Sequence, residues 1–182
     1  CPMSTLSVDT IQGKTTAGTV AMPAGHVIQT QQTALTSALV VSAPTSFTDI
    51  SGLNVAITPK FSSSKILIHV NLVGEVQNDT FHAIFRLLRG STAIGIGDAV
   101  DSRPQASFMI DSYASGGSLA GITASFHFLD SPSTTSATTY KIQVLAHSGS
   151  GNVAIGRNHA DNSSSGGPGR FPSIITAQEI SG

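Results

Sequence analysis

The chain is 182 residues long, 40% hydrophobic but only 10% charged, with a formal net charge of −1. A soluble domain ordinarily carries about 25% charged residues; here Ser and Thr, about a quarter of the chain, stand in their place. That balance excludes the basic footprint of a nucleic-acid binder, the single cysteine, Cys1, excludes an intrachain disulfide or a cysteine metal cluster, and no apolar run approaches the ~20 residues of a membrane-inserted helix.

Cys1-Pro2-Met3-Ser4 is neither basic nor apolar and does not read as a signal region. Residues 4–23 are polar, rich in Thr and Gly and weakly patterned, so they bury little by themselves. We read residues 1–24 as an N-terminal attachment arm that becomes ordered on a neighbour, with Leu6, Val8 and Ile11 as its partner-binding residues. Residues 25–182 are then the head domain.

Helix-forming Glu, Lys, Gln, Arg and Met are scarce throughout the head, whereas Thr, Val, Ile and Ser are common. Strands are expected at 26–32 and 53–58, then at 65–75, where Ile66, Ile68, Val70 and Leu72 alternate with His69 and Asn71. In 81–89 the apolar face is Phe81, Ala83, Phe85 and Leu87, followed by short strands at 92–97 and 107–111. In 121–129 it is Ile122, Ala124, Phe126 and Phe128, and in 139–147 it is Tyr140, Ile142, Val144 and Ala146. A short strand at 152–156 and a last one at 173–180 complete the set. Turn chemistry separates them at Asp49-Ile50-Ser51-Gly52, Thr58-Pro59-Lys60, Asn78-Asp79, Arg89-Gly90-Ser91, Ser115-Gly116-Gly117, Ser131-Pro132-Ser133 and Ser148-Gly149-Ser150-Gly151. Many short strands at this spacing predict an all-β fold: an antiparallel two-sheet sandwich or jelly roll with an extended N-terminal arm.

Catalytic chemistry needs a constellation, and the sequence offers none. There is no His-Glu-x-x-His pair and no phosphate-cradling Gly-x-x-x-x-Gly-Lys loop. Gly95-Ile96-Gly97 lacks a third glycine and reads as a bulge or tight strand packing. Asp98, Asp101, Asp111 and Asp130 are expected to cap turns rather than to form a glycosidase pair. With no Trp, a sugar-stacking groove has little material, although Tyr113 and Tyr140 remain as contacts. His69, His82, His127 and His147 fall on the polar faces of their strands, toward solvent or a subunit contact. The alternative is one histidine from each of three chains meeting on an axis, for which His82 and His147 come first. Asn78-Asp79-Thr80 and Asn162-Ser163-Ser164 match the glycosylation acceptor pattern as chance in a Ser/Thr-rich chain. The chain is expected to be no enzyme and to use no metal or cofactor.

Several stretches, taken in order, resemble one family. They are Leu6-Ser7-Val8-Asp9-Thr10-Ile11-Gln12-Gly13; Gly52-Leu53-Asn54-Val55-Ala56-Ile57-Thr58-Pro59 followed by Ser62-Ser63-Ser64-Lys65-Ile66-Leu67-Ile68; Leu87-Leu88-Arg89-Gly90-Ser91-Thr92-Ala93-Ile94; Leu129-Asp130-Ser131-Pro132 with Tyr140-Lys141-Ile142-Gln143; and Ile175-Thr176-Ala177-Gln178-Glu179-Ile180. The set is similar to small virion proteins of tailed bacteriophages, especially those of aquatic bacteria, of tail-fibre-like or capsid-decoration-like type. The resemblance implies a structural protein displayed on the virion surface, a homotrimer, other virion proteins (capsid or tail) as partners, and no catalytic residues. Either the arm adds a strand to a capsid or tail partner, or the chain is a carbohydrate-binding adhesion module for a host envelope. In the second case the loops 98–105, 113–117 and 158–170, with Arg103, Tyr113 and Arg157 as the residues to test, would meet a host surface glycan or protein. Neither nucleic acid nor membrane insertion is expected.

Overall fold

The computed structural model describes residues 23–76, 82–111, 121–146, 151–158, 161 and 169–182. Among them are eleven strands and no helix: β1 (Val27–Leu35), β2 (Leu39–Val41), β3 (Thr48–Ile57), β4 (Lys65–Val76), β5 (His82–Arg89), β6 (Thr92–Ile94), β7 (Phe108–Asp111), β8 (Ile122–Asp130), β9 (Thr138–Ala146), β10 (Val153–Ile155) and β11 (Ser173–Ile180). The partner-binding arm residues Leu6, Val8 and Ile11 lie outside the described residues. So do Tyr113, His147, the turns at 78–79, 115–117 and 148–150, and both glycosylation patterns.

All described pairings are antiparallel. The first sheet runs β1-β11-β4-β8. Gly74 of β4 pairs with Ile122 of β8 and with Ile155 of β10, so β10 lies on the β11 side and continues its line, with β2 outside it. The second sheet runs β3-β9-β5, and β6 and β7 share the free edge of β5 end to end. If β6 and β7 count as one broken strand, the first long strand pairs with the last, the second with the seventh, the third with the sixth, and the fourth with the fifth. That nested pairing, folded into two sheets, is a jelly roll.

Period-2 alternation fills the space between the sheets. Ile66, Ile68, Val70 and Leu72 of β4 and Ile175 and Ala177 of β11 meet Phe85 and Leu87 of β5, Ile142 and Val144 of β9, and Leu53, Val55 and Ile57 of β3, all buried. On the open side between β7 and β8 the phenylalanines stack in a row: Phe85 on Phe108 within the second sheet at 5.0 Å and Phe108 on Phe126 across to the first at 5.6 Å between ring centroids. Gly95 sits there with φ +58°, and a Cβ on it would come within 2.9 Å of Phe128. This is the tight packing read from Gly95-Ile96-Gly97.

Three local readings are corrected. Asp49-Ile50-Ser51-Gly52 is not a turn between strands but a bulge inside β3. Asp49 pairs with Gln143 and Asn54 with Lys141, so residues 50–53 crowd opposite one residue of β9, with Gly52 taking the φ of +80° that the bulge requires. β2 was not expected at all, because Leu39-Val40-Val41 is too short to show alternation. The strand expected at 92–97 stops at Ile94, where Gly95 turns away and residues 95–106 leave the sheet edge before β7 resumes.

One buried acid locks the sheet ends. Glu179 of β11 faces inward and is fully buried. Its carboxylate accepts hydrogen bonds from Gln29 Nε2 (2.6 Å) and from the backbone amides of Lys60 (2.7 Å) and Phe61 (3.4 Å). Burial would raise its pKa, but these donors outweigh it and hold the group below its ordinary value. The β3–β4 loop is thereby tied to both β1 and β11.

Candidate assembly surface

The outward faces of the two sheets differ in chemistry. On the second sheet, Lys141 Nζ donates to Asp49 at 2.7 Å, Gln143 Nε2 donates to the other Asp49 oxygen at 2.7 Å, and Arg86 Nε donates to Gln143 at 2.8 Å. Arg86 also lies over the Phe47 ring, 4.0 Å from its centroid. The Lys141 hydrogen bond is the main cause of the lowered Asp49 pKa; partial burial opposes it, while Gln143 and the charges of Lys141 and Arg86 add to it. This face is charged, self-paired and solvated.

The first sheet presents three complete cross-strand rows: Thr30-Gln178-Leu67-Leu129, Gln32-Thr176-His69-His127 and Ala34-Ile174-Asn71-Ser125. None of these twelve side chains is Asp, Glu, Lys or Arg. Gln32 Nε2 donates to Thr176 Oγ1 (3.0 Å) and Gln178 Nε2 to Thr30 Oγ1 (3.3 Å), so the amides are braced along the rows. Leu129 is 47% exposed at the β8 edge. Four strands at about 4.8 Å spacing make a plate roughly 14 Å across. A patch that is uncharged and already hydrogen-bonded to itself loses little hydration or side-chain entropy when covered.

Alternation alone places these residues on one side. What it misses is that the register aligns His69 of β4 directly opposite His127 of β8, with ring centroids 6.0 Å apart. His82 stands on the other sheet, half-buried and paired in register with Asp111.

Two expected roles are corrected. Tyr140 is not a surface contact: it is fully buried, and its hydroxyl donates to Asp130 Oδ2 at 2.7 Å. Nor does Asp130 cap a turn. It is 6% exposed and accepts Arg89 Nη1 on both oxygens at 2.9 and 3.0 Å. Asp130 ends β8 in one sheet while Arg89 and Tyr140 belong to the other, so the three clamp the sandwich at one end. Burial, then the Asp130 hydrogen bond and charge, push the Tyr140 hydroxyl far above its ordinary pKa, with Arg89 opposing.

Of the three loop residues, Arg103 and Arg157 are among the described residues and lie beside different sheets. Arg103 is exposed in the 95–106 excursion on the edge of the second sheet. Arg157 follows β10 in the first sheet and is half-buried, with Nη1 3.3 Å from Asp161, which also accepts Arg170 at 2.5 Å. Among the described residues no three His, Cys, Asp or Glu side chains cluster as a metal-binding group.

The fold and this surface define a jelly-roll β-sandwich protein with one charged sheet face and one whose three central rows carry no charge. No protein-family model matches the chain, and no curated protein matches it. Among solved structures it is similar to a chain from the structure of the infectious bursal disease virus Gx strain. The identity is 14% and the TM-score 0.33, over the whole of this chain and 43% of the other. The chain thus spans less than half the length of that match.

Proposed function

We propose that the chain is a non-enzymatic structural protein of a virus particle: a jelly-roll head on the virion surface, as a tail-fibre knob or a capsid decoration. Residues 1–24 serve as its attachment arm, and it assembles as a homotrimer. The observation that carries this reading is the uncharged centre of the outer face of the β1-β11-β4-β8 sheet, twelve outward side chains without a formal charge, with Lys65 at the end of β4 the charge nearest in register. Exposed sheets in free-standing proteins are normally defended with charge, especially at edges, and the centres of protein interfaces are depleted of charge. The opposite face of the same molecule carries Asp49, Lys141 and Arg86, so charge is placed selectively rather than lacking everywhere. The resemblance to phage virion proteins supplies the setting, and the low-charge composition suits packing against neighbours.

Sedimentation equilibrium of the full chain tests the reading. Thr176 sits in the middle row, and Thr176→Glu puts a carboxylate at the centre of the plate. The wild type is expected to sediment as a trimer and the variant as a monomer with an unchanged β-sheet spectrum. A variant that keeps the wild-type mass removes this face from the assembly.

A further inference from the structure

The His69 and His127 rings share one outward groove of about 210 Å³, whose lining includes Asn71, Ser125 and Thr176. The pair is set by a continuous ladder in which residues 66–74 of β4 oppose residues 130–122 of β8 without a bulge, while β4 is also paired to β11 on its other edge. Both histidines are exposed, yet His69 sits on β4, paired along both edges, and His127 on the edge strand β8, paired to β4. The ring centroids are 6.0 Å apart and the planes are tilted by 36°. A metal bonded at about 2.0–2.1 Å to a ring nitrogen lies about 3.2 Å from that ring's centroid, so a tetrahedral N–metal–N angle needs centroids about 5.2 Å apart. The rings stand about 0.8 Å further apart than that, a gap that rotation about the side-chain torsions would have to close.

We infer that His69 and His127 chelate a borderline-soft divalent transition metal of the Zn²⁺, Ni²⁺ or Cu²⁺ class. Two neutral imidazoles are nitrogen donors that suit these ions and not Mg²⁺ or Ca²⁺, which take oxygen. The three rows around the pair hold no Lys or Arg to repel a cation. Two protein ligands leave positions open for water, and Asn71, Ser125 and Thr176 lie in the groove to hydrogen-bond those waters and orient them. The site uses one chain's own residues, but the assembly reading would cover the same row with a neighbour, so the titration is run at a concentration where sedimentation shows the chain to be monomeric.

Calorimetric titration of the full, untagged chain with ZnCl₂ in a non-chelating buffer tests it, with MgCl₂ as the oxygen-seeking control. Losing even an outer-shell partner typically weakens metal binding about 10–100-fold, so losing one of two ligands costs at least tenfold. The expected result is one Zn²⁺ per chain. His69→Asn and His127→Asn should each weaken binding at least tenfold, His26→Asn should leave it unchanged, and Mg²⁺ should give no saturable heat. Both substitutions are at exposed positions, so circular dichroism is expected to match the wild type. In Cu²⁺-loaded protein, electron paramagnetic resonance should show two nitrogen ligands, falling to one in either variant. No saturable Zn²⁺ binding by the wild type, or unchanged affinity in either His variant, overturns the assignment.

Discussion

Removing Asp130 tests whether one buried carboxylate joins the two sheets. In Asp130→Ala the Tyr140 hydroxyl, in a fully buried residue, loses the acceptor it meets at 2.7 Å, and leaving such a group unsatisfied costs about 1–3 kcal/mol. The Arg89 side chain is 33% exposed and turns to water, so its lost ion pair adds no more than about 1 kcal/mol. The sum is roughly 1–4 kcal/mol, or about 2–16 °C in Tm at roughly 2–4 °C per kcal/mol for a chain of this size. Tyr140→Phe removes the donor instead and leaves Asp130 with Arg89, costing about 1–2 kcal/mol. The double variant is the sharper case, because phenylalanine abolishes the orphaned hydroxyl and the combined loss should fall below the sum of the single losses. Urea unfolding followed by circular dichroism, at one fixed protein concentration, reads all three. A loss under about 0.5 kcal/mol for Asp130→Ala, or strict additivity in the double variant, would refute the clamp.

Glu179 makes stability depend on acid. Its folded pKa is below the ordinary value, so its contribution is present above the unfolded pKa of about 4.3 and is lost as pH falls through the folded value. Urea midpoints should therefore drop below about pH 4.5 in the wild type, and the drop should be shallower in Glu179→Gln, whose stability at neutral pH is lower. Tyr140 behaves in the opposite sense: in Tyr113→Phe protein, phenolate absorbance should not develop near pH 10 and should appear only on alkaline unfolding. Gly95→Ala forces a side chain into φ +58° and against Phe128, a cost of about 2–4 kcal/mol measured by the same denaturation. Deleting residues 4–23 should leave the head folded and trimeric by sedimentation but unable to join the particle; normal incorporation would remove the arm from the account.

Much of the fold could be read from alternation because the inward residues of β4, β5, β8 and β9 are mostly apolar at every second position. The expected strand at 173–180 coincides with β11, and Tyr140 falls on the same face as Ile142 and Val144, so its burial follows from period alone. The polar partners that satisfy such buried groups are a different matter. Asp130 meets Tyr140 and Arg89 across the gap between the sheets, and Glu179 meets the amides of Lys60 and Phe61 more than a hundred residues away. Those are tertiary facts that no local pattern encodes. Asp49-Ile50-Ser51-Gly52 misleads for a related reason: turn residues also build bulges, and only the pairing of Asp49 with Gln143 tells the two apart. The assembly face follows the same division. Its outward residues are predictable strand by strand, but their rows, and the meeting of His69 with His127, exist only once register is known.

The chain offers a matched pair of reporters for its central claim. Leu129 is 47% exposed on the uncharged face and Met109 is 49% exposed on the charged one. Hydroxyl-radical footprinting of the full chain, compared between dilute monomer and assembled particle, measures how far each is shielded. The account predicts that Leu129 and its neighbour His127 become protected on assembly while Met109 stays reactive; a shielded Met109 with Leu129 still open would contradict it.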